Sequence, residues 1–413
     1  QANWSPADIQ LIECHGTGTP KGDAVETSSI KEILAGTNSK GCVIGSVKSN
    51  VGHLLTAAGA AGLMKLVLSL KNKQLPPTAG YEIPDERLGL EGTPIKILQK
   101  PIDWNPVANG EPRRCALSAF GFGGINGHVL IEEYLKDKTS TEGNYFNSKP
   151  SEIAIVAMDA TVGSLNGIKE FQHAVLNCES ARKPVSEKRR LTNQDIPWLK
   201  EGAFIDEVSI TPGEFKISPL EIPEILPQQL LMLKTVSNAI KSLTGKQADR
   251  LKWGTYMGIS QDFDASNFAS RWAIKKDAKA FGLDNRDEKE LCDGITPPLD
   301  NARTVGALGG IVASRIAREY SIGGPSHTFS SAENSGLSAL EAATRALQRG
   351  EIDTAVVGAV DFAGDLRNML AADKLRPYSR NNSSVPFDKA TDGAFPGEGA
   401  AAEQRHKRQP GNE

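Results

Sequence analysis

Apolar and polar positions follow two different spacings in the first part of the chain. They alternate over residues 8–13, which predicts a strand, and a glycine-rich loop follows before a helix that opens at residues 22–26. Residues 43–47 predict a second strand, and residues 129–131 predict a third. Residues 116–119 lead into the glycine-rich segment that precedes the third strand. This part of the chain therefore places polar, glycine-rich loops directly after predicted strands.

The apolar stretch at residues 53–70 approaches the length of a membrane span. Lys65 interrupts it, and its first half is rich in alanine and glycine, which favours close packing against another helix. We therefore predict a buried core helix here and no membrane span.

A comparable pattern returns further along the chain. Residues 153–158 form a short apolar run of strand length. Residues 324–337 predict a strand that ends in a sharp turn and opens a helix, which continues to Arg349 and stops at Gly350, a residue typical of helix C-termini. Free backbone N–H groups at such a helix N-terminus favour a negative charge on the turn.

Composition narrows the class of protein without choosing a function. The 413 residues are enough for two or three ordinary domains or one large one, and a content of 39% hydrophobic and 23% charged residues is typical of a globular protein. The net charge of −3 gives no reason to expect a nucleic-acid or membrane partner, and five scattered cysteines fit a reduced, cytoplasmic protein. The chain begins at Gln1, which suggests a piece of something longer, and polar residues 135–150 predict a linker.

His15 and His53 each lie on a loop after a predicted strand, and this placement has three interpretations. They could be ordinary hydrogen-bonded histidines, or a metal-binding pair, although no third ligand has suitable spacing. They could also be two imidazole donors directed at one carbonyl oxygen, as in an oxyanion hole. Position alone does not decide among these.

Three motifs give the first part of the chain a specific resemblance. They are His-Gly-Thr-Gly-Thr at residues 15–19, Lys-Ser-Asn-Val-Gly-His at residues 48–53 and Gly-Phe-Gly-Gly-Ile-Asn-Gly-His at residues 121–128. In this order they resemble the C-terminal signatures of the β-ketoacyl synthases, the condensing enzymes of fatty-acid and polyketide assembly. Ile125 and Gly127 depart from the threonine and alanine usual in the family.

The resemblance implies roles for individual residues. His15 and His53 would be the catalytic histidines that polarise the malonyl thioester carbonyl and stabilise the enolate. Lys48 would support His53, and Phe122 would gate the acyl pocket. The family's nucleophilic cysteine would lie upstream of this chain, and Cys14 is no substitute because it lies on no nucleophile turn.

Residues 324–337 resemble the family's nucleophile turn, and the cysteine of that turn aligns with Glu333. A carboxylate cannot hold an acyl chain as a stable thioester. The resemblance therefore implies a synthase domain that has lost its nucleophile, like a chain-length factor. Residues 386–388 and 392–400 also match the family, whereas the charged residues 401–413 lack the strand expected there and form an uncertain tail.

The order of the two parts implies a tandem protein. Residues 1–134 resemble the C-terminal half of one ketosynthase domain, and residues 151–400 resemble the N-terminal half of a second. This arrangement is similar to the condensing subunit of polyunsaturated fatty acid synthases, in which a ketosynthase and a chain-length factor form a pseudo-dimer. The resemblance implies a thiolase-like α/β fold with α-β-α-β-α layers and five-stranded mixed sheets.

The implied partners are acyl carrier proteins, which deliver acyl and malonyl groups on phosphopantetheine, and no metal or other cofactor is implied. The parent would catalyse decarboxylative Claisen condensation, although this chain by itself should not condense. Two alternatives stay open: Glu333 could belong to a malonyl decarboxylase of a modular polyketide synthase, or the halves could form a non-catalytic permuted synthase fold. Cross-linking between the helices that follow Glu333 and His53 would test the second.

Overall fold

The chain forms two compact units, residues 1–148 and residues 149–413. The computed structural model describes residues 2, 4–106, 108, 110–121, 124, 126–135, 152–186, 196–243, 249–260, 267–363, 366–381, 384–389 and 391–407. The predicted linker, residues 135–150, lies almost entirely outside the described residues, and so does Phe122.

The first unit combines seven short strands with three α-helices among its described residues. Its strands are β1 (Leu11–Glu13), β2 (Cys42–Gly45), β3 (Gln74–Leu75), β4 (Ile95–Lys96), β5 (Ile102–Asp103), β6 (Arg114–Phe120) and β7 (Asn126–Glu132). Its helices are α1 (Pro20–Leu34), α2 (Lys48–Val51) and α3 (Ala58–Asn72). Single 3₁₀ turns lie at Pro6–Asp8, Leu55–Ala57 and Glu86–Leu88.

Five of these strands form a mixed sheet in the order β4-β2-β1-β6-β7. Strands β2 and β6 both run parallel to β1, and β7 runs antiparallel to β6. Successive side chains of a strand point to opposite faces. Leu11 accordingly packs with Leu66 of α3, while Ile12 packs with Ile30 of α1, so the sheet is covered on both faces.

Helix α3 differs from the predicted core helix because it buries only one side. Gly62 and Leu66 face the sheet, and a β-carbon on Gly62 would lie 2.7 Å from Leu117 of β6, so the close packing is against strands instead of another helix. Met64 and Leu68 remain exposed on the opposite side. Helix α3 carries apolar residues on all sides, but the described residues of this unit cover only the side that faces the sheet.

The second unit has eight strands and eight α-helices among its described residues. Its strands are β8 (Ile153–Val162), β9 (Leu165–Asn166), β10 (Lys183–Pro184), β11 (Glu201–Gly202), β12 (Trp253–Ile259), β13 (Ser326–Phe329), β14 (Thr354–Asp361) and β15 (Gly399–Lys407). Its helices are α4 (Ile168–Leu176), α5 (Pro227–Lys241), α6 (Asn267–Asp277), α7 (Asn285–Ile295), α8 (Asn301–Gly306), α9 (Ile311–Tyr320), α10 (Ser335–Gln348) and α11 (Leu366–Leu375). Short 3₁₀ turns lie at Ile222–Glu224 and Arg250–Lys252.

The main sheet of this unit has the order β13-β12-β14-β15-β8-β9. It has six strands where five are expected, because the two-residue strand β9 folds back onto β8 as a hairpin. Helices α5 and α9 pack on one face through Met232 and Ile316, and α10 packs on the other through Ala343.

Residues 401–407 are not a tail, because they complete β15 between β14 and β8. The strand is hard to see in the sequence because its inward positions include polar residues: Gln404 is buried after Ala400 and Ala402. His406 Nδ1 lies 2.8 Å from the Thr354 hydroxyl, and Arg405 pairs with Glu403. Pairing on both edges satisfies the backbone, so the strand forms without a continuous apolar pattern.

Within the part of the chain that the structure describes, none of the helices combines the length and the apolar character needed to cross a bilayer. The same described residues include no group of three or more histidine, cysteine, aspartate or glutamate side chains arranged to hold a metal ion.

Candidate active site

The two predicted catalytic histidines lie at one edge of the first unit's sheet. Because β1, β2 and β6 are parallel, their carboxyl ends meet at the same edge. His15 follows β1, and Lys48 and His53 follow β2. The topology therefore brings together His15 and His53, which are 38 positions apart in the sequence.

A glycine allows the two loops to approach closely. Gly16 has a φ of +35°, and a β-carbon there would lie only 2.8 Å from the β-carbon of Ser46, which follows β2. Any larger residue at position 16 would force the loops after β1 and β2 apart.

The rings of His15 and His53 have centroids 5.5 Å apart and planes at 79°. The Phe120 ring, at the end of β6, lies 5.4 Å from that of His15 and forms one wall of the site. At this separation both imidazoles can donate to a single oxygen placed between them, since each such hydrogen bond spans about 2.7–3.1 Å.

Backbone hydrogen bonds select the tautomer of both histidines. The N–H of Phe120 donates to His15 Nδ1 at 3.3 Å, and the N–H of Leu55 donates to His53 Nδ1 at 3.0 Å. In a neutral imidazole one ring nitrogen accepts and the other carries the proton. Both residues therefore present a protonated Nε2, which makes each of them a hydrogen-bond donor toward substrate.

The surroundings of His15 keep it neutral. Burial lowers the pKa of His15, and the positive charge of Lys48 and the neighbouring His53 lower it further, while Asp23 opposes them weakly. A neutral imidazole can accept the Phe120 N–H at Nδ1 while it donates from Nε2, whereas an imidazolium can no longer accept at Nδ1.

The buried carboxylate of Glu26, on α1, holds the loop that carries His15. Its two oxygens accept the N–H groups of His15 and Gly16 at 2.8 and 2.9 Å. Burial raises the pKa of Glu26, and these two backbone donors oppose that rise. Glu26 therefore fixes the backbone of the loop that carries His15.

A cleft of about 940 Å³ opens beside the two histidines. His128 lies on its wall, with Nδ1 3.0 Å from the Ser118 hydroxyl. His128 belongs to the third sequence motif, yet sequence reasoning assigned it no role. Its placement in β7 directly opposite Ser118 of β6 is what brings it to the cleft.

Cys14 lies next to His15 but points into the core. Its side chain is buried, and burial raises the pKa of the thiol well above its usual value. A nucleophilic cysteine requires a thiolate. The structure therefore offers no reactive group at Cys14.

The turn that carries Glu333 lies in the second unit, between β13 and α10. Ala332 has a left-handed φ of +50°, and the buried Ser335 hydroxyl accepts the N–H of Ser331 at 2.8 Å. Asn334 is the N-cap residue of α10, so Glu333 lies just outside the first helical turn, where the sequence predicted it. The sharp turn is thus kept although its cysteine is absent.

Glycine also seats this turn on the sheet. A β-carbon on Gly258 of β12 would lie 2.6 Å from the backbone nitrogen of Gly336. The glutamate side chain itself pairs with Arg376, which follows α11, and both side chains are mostly exposed. The position that the sequence aligned with the family's cysteine therefore carries an ion pair.

The structure thus brings His15, Lys48 and His53 together in the first unit. In the second unit it places Glu333 on the sharp turn between β13 and α10, which we call the elbow. Phe122 lies outside the described residues, so its gating role stays a prediction. The role of the Glu26 carboxylate was not predicted from the sequence, because an acidic residue in a helix gives no sign of the backbone N–H groups that it will meet.

Comparison with known proteins identifies the class to which this fold and site belong. The family model for the β-ketoacyl synthase N-terminal domain matches residues 150–403, more than half of the chain. The model for the β-ketoacyl synthase C-terminal domain matches residues 1–82. The chain therefore belongs to the β-ketoacyl synthase family, and the predicted thiolase-like α/β fold is confirmed.

Among its relatives, a polyunsaturated fatty acid synthase component from Thraustochytrium sp. is 30% identical over 430 residues, covering 97% of this chain and 20% of the relative. A component of the phenolphthiocerol/phthiocerol polyketide synthase from Mycobacterium tuberculosis is 41% identical over 155 residues, covering 37% of this chain and 10% of the relative. The solved structure of the PfaC keto synthase–chain length factor has a TM-score of 0.79 and 27% identity, covering 98% of this chain and 44% of that one. The chain thus spans about a fifth of the length of the first of these relatives.

Proposed function

We propose that this chain is part of a multidomain fatty-acid or polyketide synthase that performs decarboxylative Claisen condensation. Residues 1–134 supply the histidine half of a ketosynthase site, with His15 and His53 as its catalytic donors. The observation that carries the proposal is the pair of imidazoles 5.5 Å apart, each with Nδ1 accepting a backbone N–H.

In the proposed reaction the malonyl thioester oxygen lies between the two Nε2–H donors. The bond from C2 to the carboxylate breaks, carbon dioxide leaves, and its electron pair forms the enolate whose oxygen the donors stabilise. The carbanion then attacks an acyl thioester carried by a cysteine outside this chain, and the thiolate departs. Lys48 supports the site by its positive charge, which opposes protonation of His15.

The substrates of this proposal arrive on phosphopantetheine arms of acyl carrier protein domains, and the chemistry requires no metal or organic cofactor held by the chain. The proposed setting is cytoplasmic. Carrier-protein partners are inferred from the reaction itself, because two thioesters must reach one site in succession.

Residues 151–400 are proposed to be a nucleophile-free chain-length factor in polyunsaturated fatty acid synthesis. Glu333 occupies the elbow and its carboxylate is engaged by Arg376. One continuous alignment with the polyunsaturated fatty acid synthase relative spans nearly the whole chain, which favours the tandem order. The solved relative that covers 98% of this chain is itself titled a keto synthase–chain length factor, which supports a pseudo-dimer of the two domains.

A full-length synthase that contains this chain tests both halves of the proposal. Malonyl decarboxylation, condensation and product length are measured for the wild type, His15→Ala and Glu333→Ala. We expect His15→Ala to abolish condensation, and Glu333→Ala to leave decarboxylation intact while altering product length. His173→Ala, which removes an exposed histidine on α4, is the matched control and should change neither activity.

Two outcomes would contradict the proposal. If His15→Ala retained decarboxylation and condensation, the histidine pair would not be the catalytic site. If Glu333→Ala removed decarboxylation, Glu333 would itself be catalytic and the second domain would be a malonyl decarboxylase. An ionised carboxylate cannot donate a hydrogen bond to an enolate and would repel it, which is why we favour the chain-length-factor role over the decarboxylase role.

A further inference from the structure

A buried carboxylate lies at the root of both histidine loops. Glu13 ends β1, two residues before His15, and its side chain is only 1% exposed. One oxygen accepts the N–H of Val47 at 2.6 Å, and the other pairs with Lys65 Nζ of α3 at 2.7 Å. The side chain of Lys65 is only 11% exposed.

This single side chain connects three elements. Val47 is the N-cap residue of α2, directly before Lys48, and the chain continues from there to His53. Glu13 therefore fixes the start of the β2–α2 turn relative to the strand from which His15 emerges. Hydrogen bonds from backbone N–H groups to a carboxylate are shorter and stronger than those between neutral groups.

The fold also makes room for this contact. Gly62 lies one turn before Lys65 on α3, and a β-carbon there would come within 3.0 Å of Glu13 Cγ. With glycine at this position the helix lies close enough for Lys65 to reach the carboxylate. A larger residue would move the helix away and separate the pair.

A buried ion pair is a costly way to gain stability, because desolvation offsets most of the attraction and apolar residues of similar volume often serve as well. Such a pair is better explained by what it orients. Here the oriented group is the backbone that leads to Lys48 and His53.

We propose that Glu13 and Lys65 are positioning residues that set the spacing of the His15 and His53 rings for decarboxylation. Glu13 acts through its hydrogen bond to Val47, and Lys65 holds the Glu13 carboxylate in place through the ion pair. Neither side chain touches a reacting atom. This inference rests on the proposed function of the histidine pair.

Two double variants separate positioning from stability. Glu13→Gln with Lys65→Met removes both charges but keeps an amide oxygen that can accept the Val47 N–H. Glu13→Leu with Lys65→Met removes both charges and the acceptor. Both are made in the full-length synthase, and malonyl decarboxylation is measured at a temperature where each variant is folded.

We expect the glutamine variant to keep kcat within about threefold of the wild type, and the leucine variant to lose about tenfold to hundredfold, because small displacements of catalytic groups have effects of that size. KM should change little in either variant, since both leave the cleft intact. Lys65→Met alone should lose kcat more severely than the glutamine double variant, because it leaves the Glu13 charge buried without a partner.

The Arg113–Glu133 pair of the same unit is the matched control. Both side chains are 12% exposed and the atoms lie 2.6 Å apart. Arg113→Met with Glu133→Leu should change thermal stability to a comparable degree while leaving kcat unchanged.

A spectroscopic readout uses the 413-residue chain itself. With ¹⁵N-labelled histidine, the leucine double variant should shift the imidazole resonances of His53 and His15 among the six histidines, and the control pair should not. Equal kcat for the glutamine and leucine double variants would overturn the positioning role, and so would unshifted resonances. Retained decarboxylation and condensation in His15→Ala would instead reject the proposed function, so the two failures are distinguishable.

Discussion

At the residue scale, the chemistry of the site follows from how two histidines are held. His15 and His53 are ordinary imidazoles until Phe120 and Leu55 donate to their Nδ1 atoms. Those two backbone bonds decide which nitrogen carries the proton. Glu333 is likewise held by its surroundings, because the turn before α10 places its carboxylate and Arg376 pairs with it.

The charge of Lys48 gives a prediction about His15. Because that charge lowers the pKa of His15, Lys48→Met should raise it, and the imidazolium should persist to higher pH. An NMR titration of the histidine-labelled chain measures the change directly. Decarboxylation by the full-length protein should accordingly begin to fail at a higher pH on acidification, since protonated His15 can no longer accept the Phe120 N–H that orients its ring.

Lys100→Met is the control for this titration, because Lys100 is exposed and is not among the charges that act on His15. An unchanged His15 titration in Lys48→Met would show that the charge of Lys48 does not lower the pKa of His15.

At the element scale, the turn before α10 carries Glu333 where the resemblance to the family implies a cysteine. The left-handed Ala332, the Ser335 hydrogen bond and the close approach of Gly258 to Gly336 do not depend on the residue at position 333. The backbone of this turn is therefore held by residues other than Glu333.

Glu333→Cys tests that statement. A thiol at this position would lie before the N-terminus of α10 and near Arg376, two features that lower a thiol pKa and raise its reactivity. We expect iodoacetamide at neutral pH to label it several-fold faster than the exposed Cys178, which serves as the internal reference. Labelling no faster than at Cys178 would mean that the elbow does not activate a thiol.

Gly258→Ala tests how the helix is seated. The added methyl group would meet the backbone of Gly336 at 2.6 Å, so α10 must move away from β12. We expect a loss of about 1–3 kcal/mol in the free energy of unfolding, measured by urea titration followed by fluorescence. Gly294→Ala is the control in α7, where nothing lies within 4 Å, and it should change stability by less than about 1 kcal/mol.

At the scale of the whole molecule, both units leave apolar side chains in solvent. Met64 and Leu68 of α3 are exposed in the first unit, and Ile155 and Met158 of β8 in the second. Large exposed apolar patches are unusual on isolated monomers. The chain should therefore be prone to associate when it is purified by itself.

Met64→Lys with Leu68→Glu should weaken that association, because both changes place charge on the exposed side of α3 while Leu66 stays buried. Sedimentation velocity would show fewer multimers, and binding of a hydrophobic dye would fall. Leu220→Lys, at a side chain that is also exposed, is the matched change elsewhere and should have little effect. Unchanged association in the α3 variant would mean that another surface is responsible.

The sequence by itself determined the family, the two-part order, the elbow and the loops that carry His15, Lys48 and His53. These features are local: motifs fix glycine-dependent turns, and an apolar run of strand length predicts strand β8. Strand β15 escaped this reasoning, because its buried positions include Gln404 and its cohesion comes from neighbours far along the chain.

Only the tertiary structure decided what those loops can do. The imidazole tautomers depend on backbone donors supplied by the fold, and the Glu13–Lys65 pair joins residues 52 positions apart. Which face of α3 is covered likewise depends on what packs against it. A sequence pattern records the character of each residue, whereas the pKa, tautomer and exposure of a side chain are set by its neighbours in space, which only the folded chain brings together.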